Sequence, residues 1–241
     1  MRIAWLEQTG ALDSNKEKID SLKEFGIDYY RYNWKYLDKD PMNNISAEKG
    51  LSWSKGREAL YYEASKENYD YYMFCDDDVV FEKGFSHGLS NVLDYLSLKG
   101  PKILTISSGC WQERFLAKSK NYKSSALFLT DLQMQILSKN ICQKSFPVWF
   151  DGGWGTLWYP MFLANKDRRG SVHFLRNLRI VNTNSNETFE YGGVENQNSQ
   201  DIWNRSKHAM PIEAKILPSI FRFALIVKTL NFFYVFLVRP K

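Results

Sequence analysis

The stretch that decides the fold is YDYYMFCDDDVVFEKG, residues 69–84. An apolar, aromatic run leads into three adjacent aspartates, Asp76, Asp77 and Asp78, and a second apolar run follows them directly. The first run has the length and composition of a buried strand. Carboxylates at the end of such a strand repel one another and lose hydration, so they require a compensating partner.

The residues before the aspartates predict the start of a parallel sheet. They read as strand, helix, strand, helix and strand, over residues 2–6, 14–25, 28–34, 52–67 and 69–75. The first helix has Ser14 as its predicted N-cap and Glu17 in the capping-box position, and Gly26 ends it. Strand, helix and strand in so short a span form a βαβ unit, whose strands are parallel.

The later part of the chain continues the alternation. It predicts helices and strands in the order helix, strand, strand, helix, helix, strand and strand, over residues 85–98, 102–107, 125–129, 130–139, 155–165, 171–175 and 178–181. Residues 183–206 are polar and rich in asparagine, which is typical of a loop or a mobile lid. The expected fold class is therefore α/β, with a mixed, mainly parallel sheet flanked by helices.

Composition and charge bound the function. The chain has 241 residues, of which 44% are hydrophobic, so a packed core is expected. Its three cysteines, Cys75, Cys110 and Cys142, lack CxxC spacing and are predicted to be reduced thiols in a cytoplasmic protein. We expect no cleaved signal peptide, because too few apolar residues follow Met1. A nucleic-acid partner is not expected, because the excess positive charge is not spread over the domain.

That excess lies in the last 28 residues. The segment 214–241 has no acidic residue and carries five basic ones, which equals the whole net charge of +5. Its longest uncharged stretch, residues 229–238, has ten residues, whereas a spanning helix needs about 20. We therefore expect a domain over residues 1–213 and an amphipathic helical tail over 214–241 that lies on an anionic membrane surface. A buried C-terminal helix or a subunit interface is the alternative.

The aspartates favour a divalent cation. They lie at the carboxyl end of a strand in an α/β protein, where open parallel sheets bind ligands. Carboxylate oxygens suit Mg²⁺ or Mn²⁺, and Mg²⁺ typically shares its coordination shell with substrate phosphates. An isolated DDD is as often a solvated acidic turn or a helix N-cap. An EF-hand is not indicated, because the glycine and the glutamate of that loop are missing.

The run LSWSKGREALYYEASKENYDYYMFCDDDVVFEKG, residues 51–84, resembles the donor-binding half of GT-A glycosyltransferases. In that family a helix with a basic start precedes a hydrophobic strand that ends in a DxD motif. Asp76 and Asp78 match the two motif positions, and Lys55 and Arg57 match the basic helix start. The resemblance covers about the first 110 residues, and more loosely extends to about residue 185.

The resemblance implies roles for these residues. Asp78 is expected to bind Mn²⁺ or Mg²⁺ directly, and Asp76 to act on the metal or, through water, on the ribose. Asp77 faces the other side if the backbone is extended, as a neighbour of the nucleotide site. Lys55 or Arg57 is expected to contact the diphosphate of a nucleotide sugar, although both could equally lie on an exposed helix face.

Two further residues follow from the same family. An inverting transferase needs a general base, and Asp151 is the only acid of FPVWFDGGWGTLWYP, residues 146–160. A mere helix cap is the alternative, with Glu187, Glu190 and Glu195 in reserve as base. His173 is expected to complete the metal site. The order of DDD, an aromatic segment with an acid, and a later histidine is similar to that of mycobacterial galactofuranosyltransferases.

The remaining candidates line the donor and acceptor sides. Thr9, Asn33 and Trp34 follow the first two strands and are expected to cradle the base and ribose. An acceptor platform is expected from flat indole rings, although core packing is the default for at least two of them; the candidates are Trp111, Trp149, Trp154 and Trp158.

The expected function is therefore a metal-dependent inverting hexosyltransferase. Its donor is expected to be a UDP-sugar, and its acceptor a lipid-linked or membrane-proximal glycan of surface polysaccharide such as lipopolysaccharide or capsule. Such an enzyme would be a peripheral protein on the cytoplasmic side of the inner membrane. A retaining transferase is the alternative. A nucleotidyltransferase is disfavoured, because LEQTGALDS, residues 6–14, holds one glycine where that class has a glycine-rich loop.

Overall fold

The computed structural model describes residues 1–37, 39, 42, 45, 53–107, 133–147, 160, 163–164 and 171–183. These residues form an α/β structure. Its elements in chain order are β1 (Ile3–Thr9), α1 (Lys16–Glu24), β2 (Asp28–Asn33), α2 (Trp53–Ala64), β3 (Tyr71–Asp76), β4 (Val79–Phe81), α3 (Phe85–Lys99), β5 (Ile103–Ser107), β6 (Met134–Ser138), α4 (Lys139–Ser145) and β7 (Val172–Asn182).

The seven described strands form one sheet in the order β2-β1-β3-β6-β5-β7-β4. β1 pairs in parallel with β2 and β3, and β5 pairs in parallel with β7. β6 runs antiparallel between β3 and β5, and β4 runs antiparallel to the last residues of β7. The mixed, mainly parallel sheet that the sequence predicts is thus confirmed.

Each face of the sheet is covered by helices. Along β1, Ala4 and Leu6 pack with α2 and with the aromatic residues of β3 on one face. Ile3 and Trp5 pack with α1 and α3 on the other. All seven residues of β1 are buried, as expected for a central strand of a parallel sheet that is covered on both sides.

The first βαβ unit differs from its prediction in the length of its first strand and at the helix cap, since β1 runs over Ile3–Thr9 where residues 2–6 were predicted. The N-cap of α1 is Asn15, whose Oδ1 accepts a hydrogen bond from the Lys18 amide at 3.1 Å, so the prediction of Ser14 was wrong by one residue. An asparagine caps as well as a serine, and sequence alone does not choose between neighbours. Gly26 follows the helix with φ of +66°, as the predicted stop requires.

The largest error concerns residues 130–139. A helix was predicted there, but Met134–Ser138 form β6, and α4 begins only at Lys139. β6 is a central strand, and its pairing with β3 and β5 outweighs local helix propensity. The strand predicted over residues 125–129 lies outside the described residues.

The end of the sheet was also predicted imperfectly. The two late strands, 171–175 and 178–181, are parts of the single strand β7, which an irregular register interrupts near Leu175. β4 was not predicted as a strand at all. It is only three residues long, and its pairing with the end of β7 comes from a distant part of the chain.

Within the described residues Cys75 and Cys142 are buried free thiols, in line with the prediction. None of the helices described above combines the length and the apolar character needed to cross a bilayer. The tail over residues 214–241 and the polar region over 184–206 lie outside the described residues.

Candidate active site

Three predicted site residues meet at the carboxyl edge of the sheet. Thr9 of β1 pairs with Asn33 of β2, and Gln8 of β1 pairs with Asp76 of β3. Because these strands are parallel, their carboxyl ends lie side by side, and this edge is where open α/β sheets bind ligands. The edge therefore places Thr9, Asn33 and the aspartates within one region.

Asp76 faces α2. Its Oδ1 accepts hydrogen bonds from Trp53 Nε1 at 3.1 Å and from Arg57 Nη2 at 3.3 Å. The Asp76 side chain is 14% exposed. Burial raises the pKa of Asp76 to about 6, against the opposing effects of the Arg57 charge and the Trp53 hydrogen bond. The carboxylate is therefore held in place but not fully compensated.

Asp77 faces the opposite side of the sheet. Its Oδ2 accepts a hydrogen bond from Thr9 Oγ1, and the same hydroxyl oxygen accepts one from the Ala11 amide at 2.9 Å. The Asp77 amide donates to the Gln8 carbonyl at 3.1 Å. Asp77 thus ties the end of β3 to the end of β1 and to the loop that follows it.

Asp78 is the buried acid of the three. It is 4% exposed, and neither of its carboxylate oxygens accepts a hydrogen bond of normal geometry from the described residues. Burial, and after it the charge of Asp77, raises the pKa of Asp78, while the Asn182 amide opposes the shift. An ionised carboxylate in this position calls for a positive partner.

The backbone of Asp78 is fixed by the end of β7. The Asp78 carbonyl accepts hydrogen bonds from Thr183 N at 2.8 Å and from Thr183 Oγ1 at 3.0 Å. Asn182 pairs with Val79, the first residue of β4. Sequence reasoning missed Asn182 and Thr183. The only available signal was two polar residues at the end of an apolar run.

Asn33 holds the loop after β1. Its Nδ2 donates to the Ala11 carbonyl at 2.6 Å, and its Oδ1 accepts from the amides of Lys35 and Tyr36 at 3.0 and 2.8 Å. The buried Arg31, which sequence reasoning also missed, donates to the Leu12 carbonyl at 3.2 Å. These contacts set the shape of the edge between β1 and β2.

Trp34 lies against the same loop. A Cβ at Gly10 would be 2.5 Å from Trp34 Cζ2, so only glycine allows this ring to pack so closely on the backbone. The Trp34 amide donates to the Thr9 carbonyl at 3.1 Å. The indole thus lies beside the end of β1, where the base and ribose were expected.

The two basic residues of α2 have different surroundings. Lys55 is 34% exposed and forms an ion pair with Glu58, with Nζ 2.9 Å from Oε2. Arg57 is 1% exposed, and its guanidinium carbon lies 3.9 Å from the centroid of the Trp53 ring. Lys55 is accessible to a ligand, whereas Arg57 is enclosed by Trp53, Phe74 and Asp76.

The structure does not bring His173 to the aspartates. In the register of the sheet His173 aligns with Leu104, Leu104 with Ile136, and Ile136 with Met73. His173 therefore lies three strands from β3, roughly 14 Å away at the usual strand spacing, and level with a residue three positions before Asp76.

The His173 ring has another partner, since its Nδ1 is 2.9 Å from the hydroxyl of Tyr95 on α3. Among the described residues no three His, Cys, Asp or Glu side chains are grouped so that they could hold a metal ion. The predicted set of Asp76, Asp78 and His173 is therefore not assembled. His173 was predicted as a ligand from its spacing to Asp151, but the register of β7 places it away from the aspartates and beside Tyr95.

The two remaining predicted ligands do fit a divalent cation. The carboxylate oxygens of Asp78 are buried without a hydrogen-bond donor of normal geometry, and both donors to Asp76 fall on Oδ1. Hard oxygen ligands of this kind suit Mg²⁺ or Mn²⁺, whose shells are often completed by water and by phosphate. Asp76 and Asp78 could therefore hold such an ion together with a bound diphosphate.

Several predicted residues lie outside the described part of the chain. They are the predicted base, its reserves and the aromatic platform: Asp151, Glu187, Glu190, Glu195, Trp111, Trp149, Trp154 and Trp158. Their roles remain predictions.

Comparison with solved structures relates the fold to known proteins. S. aureus TarS, residues 1–349, gives a TM-score of 0.58 at 11% identity, over 93% of this chain and 73% of that one. The same TarS fragment in complex with UDP-GlcNAc gives 0.57 at 12% identity, over 92% and 73%. Of the longer TarS structure this chain covers 36%, with a TM-score of 0.51. No family model and no curated protein matches the sequence.

A lower TM-score of 0.43 relates 73% of the chain, at 11% identity, to 68% of glucosyl-3-phosphoglycerate synthase from Mycobacterium tuberculosis in complex with Mn²⁺, UDP and phosphoglyceric acid. The TarS scores exceed 0.5, and the likeness in fold is drawn from them. At such low identity the likeness shows a shared fold, in agreement with the predicted GT-A type.

Proposed function

We propose that this chain is a metal-dependent glycosyltransferase that uses a nucleoside diphosphate sugar as donor. One observation carries the proposal: Asp78 is buried at the carboxyl edge of the sheet, and its carboxylate lacks a hydrogen-bond donor of normal geometry among the described residues. An acid left in this state at a ligand-binding edge is suited to a cation. Asp76 lies two residues away and also carries a raised pKa.

Asp76 and Asp78 would hold Mn²⁺ or Mg²⁺ in this proposal. When bound, the ion supplies positive charge that stabilises the diphosphate leaving group. Thr9, Asn33 and Trp34 shape the adjacent edge, which offers a place for the base and ribose. Lys55, the accessible basic residue of α2, is the proposed contact to the diphosphate. A UDP-sugar is the donor we favour, because TarS, which shares the fold, binds UDP-GlcNAc.

The finer assignments rest on the sequence. Asp151 is proposed as the general base of an inverting transfer, in which it takes the proton of the acceptor hydroxyl. The motif order favours galactofuranose as one sugar to test. The basic, apolar tail favours a lipid-linked or membrane-proximal glycan as acceptor, with the enzyme held on the cytoplasmic face of the inner membrane.

Calorimetry tests the central proposal. UDP is titrated into the protein with Mn²⁺ and, separately, with EDTA. The proposal expects binding that requires Mn²⁺ and that Asp78→Asn weakens at least tenfold, because the amide removes the charge without changing the shape. Asp20→Asn is the matched control, since Asp20 is an exposed acid on α1, and it should bind as the wild type does. Absence of metal-dependent binding for UDP, GDP and dTDP alike contradicts the proposal.

Turnover tests the base. A panel of nucleotide sugars, including UDP-galactofuranose, is screened for release of the nucleotide. With the active donor, Asp151→Asn should retain UDP and Mn²⁺ affinity and lose transfer. NMR of the product decides the stereochemistry. A retained anomeric configuration, or wild-type transfer by Asp151→Asn, removes Asp151 as base but leaves the metal site intact.

Fractionation tests the tail. Deletion of residues 215–241 should move the protein from the membrane fraction to the supernatant and reduce its binding to vesicles that contain anionic lipid. The deleted protein should still bind UDP with Mn²⁺, which shows that it is folded. An unchanged membrane fraction contradicts the proposed anchoring.

A further inference from the structure

We propose that Trp53 and Arg57 of α2 are positioning residues, which orient Asp76 so that Oδ2 faces the cation. This inference rests on the proposed function and changes the expected role of Arg57. The family resemblance gave Lys55 or Arg57 as the contact to the diphosphate. Its surroundings assign it instead to Asp76.

Two hydrogen bonds from α2 hold one oxygen of Asp76. Trp53 Nε1 and Arg57 Nη2 both donate to Oδ1 of Asp76, at 3.1 and 3.3 Å. Two donors on one oxygen restrict both the rotation of the carboxylate and its distance from α2. Oδ2 is thereby left as the oxygen that a ligand can use. A free aspartate would have to lose rotational freedom when it binds a cation, and here that loss occurs on folding.

Arg57 is buried and is not accessible to a ligand. Arg57 is 1% exposed, and its guanidinium carbon lies 3.9 Å from the Trp53 ring centroid and 5.5 Å from that of Phe74. A buried guanidinium stacked on an indole is held in a fixed plane. A diphosphate could reach it only if this packing were broken. Lys55, at 34% exposure on the same helix, is free of that restriction.

Arg57 also reduces the electrostatic repulsion between the two aspartates. Asp76 and Asp78 each raise the energy of the other's ionised form, and burial adds to this effect. Arg57 forms an ion pair with Asp76, with Nη2 3.3 Å from Oδ1, and its positive charge offsets part of this repulsion.

The first turn of α2 packs closely against β1. Gln8 Nε2 donates to the Trp53 carbonyl at 3.0 Å, which fixes the first turn of the helix to β1. A Cβ at Gly56 would lie 2.2 Å from the same Gln8 atom and 2.9 Å from the Tyr32 ring. Gly56 lets α2 approach the sheet closely enough for Trp53 and Arg57 to reach Asp76. Gln8 is also the register partner of Asp76.

The experiment uses two variants and a matched control in the full-length protein. Trp53→Phe removes the indole N–H but keeps a ring beneath Arg57. Arg57→Lys keeps the charge but loses the planar guanidinium. Trp5→Phe removes another buried indole N–H, the one that donates to the Glu7 carboxylate at 3.3 Å on the opposite face of the sheet. Mn²⁺ affinity is measured by electron paramagnetic resonance, UDP affinity by calorimetry with Mn²⁺, and Tm by circular dichroism.

The expected result separates positioning from stability. Trp53→Phe should weaken Mn²⁺ binding roughly three- to tenfold, the effect of one hydrogen bond, and Arg57→Lys should weaken it about tenfold or more. Trp5→Phe should lower Tm by a similar amount to Trp53→Phe but leave Mn²⁺ affinity within about twofold of the wild type.

Two outcomes overturn the inference in different ways. If Trp53→Phe and Arg57→Lys bind Mn²⁺ as the wild type does while Asp78→Asn does not, the positioning role is wrong and the metal site stands. If the wild type binds neither Mn²⁺ nor UDP, the proposed function fails and the positioning role fails with it. Should Arg57→Lys not fold, Trp53→Phe decides alone.

Discussion

Glu7 and Asp78 are two acids near the same edge of the sheet, and each is 4% exposed. Glu7 receives hydrogen bonds from Lys18 Nζ at 2.6 Å, Tyr29 OH at 2.9 Å and Trp5 Nε1 at 3.3 Å. Asp78 receives none of normal geometry from the described residues. The two acids are thus equally buried, but the hydrogen-bonding capacity of Glu7 is met by the described residues and that of Asp78 is not met by donors of normal geometry among them. A buried acid that the protein satisfies is structural, and one that it leaves open is a candidate for ligand binding.

The aspartates themselves form a graded series between these extremes. Asp76 has two donors on one oxygen, and Asp77 has the single described side-chain donor Thr9. The number of described side-chain donors of normal geometry thus falls from two at Asp76 to one at Asp77 and none at Asp78. Mutations at Asp77, which ties β3 to β1, should therefore act mainly on folding, and mutations at Asp76 and Asp78 on ligand binding.

The largest effect is expected at Lys18, the counter-charge of Glu7. Lys18→Met leaves Glu7 ionised and buried without its cation, which should lower the free energy of unfolding by about 3–5 kcal/mol. Urea denaturation followed by circular dichroism measures the change. Lys23→Met, at an exposed position of the same helix, should change it by less than about 0.5 kcal/mol.

The pH dependence sharpens this prediction. Burial lowers the pKa of Lys18, but the charge and hydrogen bond of Glu7 outweigh it and raise the pKa overall. The stabilisation is therefore complete below the ordinary lysine pKa of 10.5 and disappears only as the pH rises through the folded value. A loss below about 1 kcal/mol in Lys18→Met at neutral pH would show that the pair is not structural.

An effect of the opposite sign is expected at Asp78. Without metal, Asp78→Asn removes a buried charge that has no hydrogen-bond donor of normal geometry among the described residues, and it should raise the free energy of unfolding by about 1 kcal/mol. Because the pKa of Asp78 is raised, this gain should be complete above the folded pKa and shrink as the pH falls toward the usual aspartate value of 3.8.

Glu7→Gln is the matched comparison, because it neutralises an acid of equal burial. It should destabilise the protein, since it leaves the Lys18 ammonium buried without its counter-charge. Chemical denaturation in EDTA measures both variants. Equal losses for Asp78→Asn and Glu7→Gln would mean that the two acids do not differ in the way described above.

An intermediate effect is expected at Thr9, which holds Asp77. Thr9→Val keeps the shape and removes one hydrogen bond to a charged group, so it should lower the free energy of unfolding by about 1–2 kcal/mol. Thr9→Ser keeps the hydroxyl and should restore most of the loss. A Thr9→Val variant as stable as the wild type would show that Asp77 is held by other contacts.

The sequence predicted the features that depend on local pattern. The βαβ start, the strand that carries the aspartates and the helix before it were recognised because alternation, caps and breakers are local signals. Asp76, Thr9 and Asn33 followed, since their places at strand ends determine that they meet at one edge. Arg57 was selected by position in the family pattern, which does not reveal that it is buried.

The features that depend on pairing between distant segments were missed. β6 was predicted as a helix because its strand conformation depends on pairing with β3 and β5, which lie far away in sequence. Asn182 and Thr183 reach Asp78 across more than a hundred residues. For His173 the spacing was informative about the strand but not about its register, and the register decides which end of the sheet the side chain occupies.

The smallest effect is therefore expected at His173. His173→Gln should leave Mn²⁺ and UDP affinity within about twofold of the wild type, because the ring lies three strands from β3 and contacts Tyr95. Its loss of stability should be about 1 kcal/mol or less, the value of one hydrogen bond between partly buried groups. Tyr95→Phe should have a similar effect, and the double variant should lose less than the sum, because both changes remove the same contact. A tenfold fall in Mn²⁺ affinity in His173→Gln, but not in Tyr95→Phe, would instead restore His173 as a metal ligand and require that β7 shift its register when the donor binds.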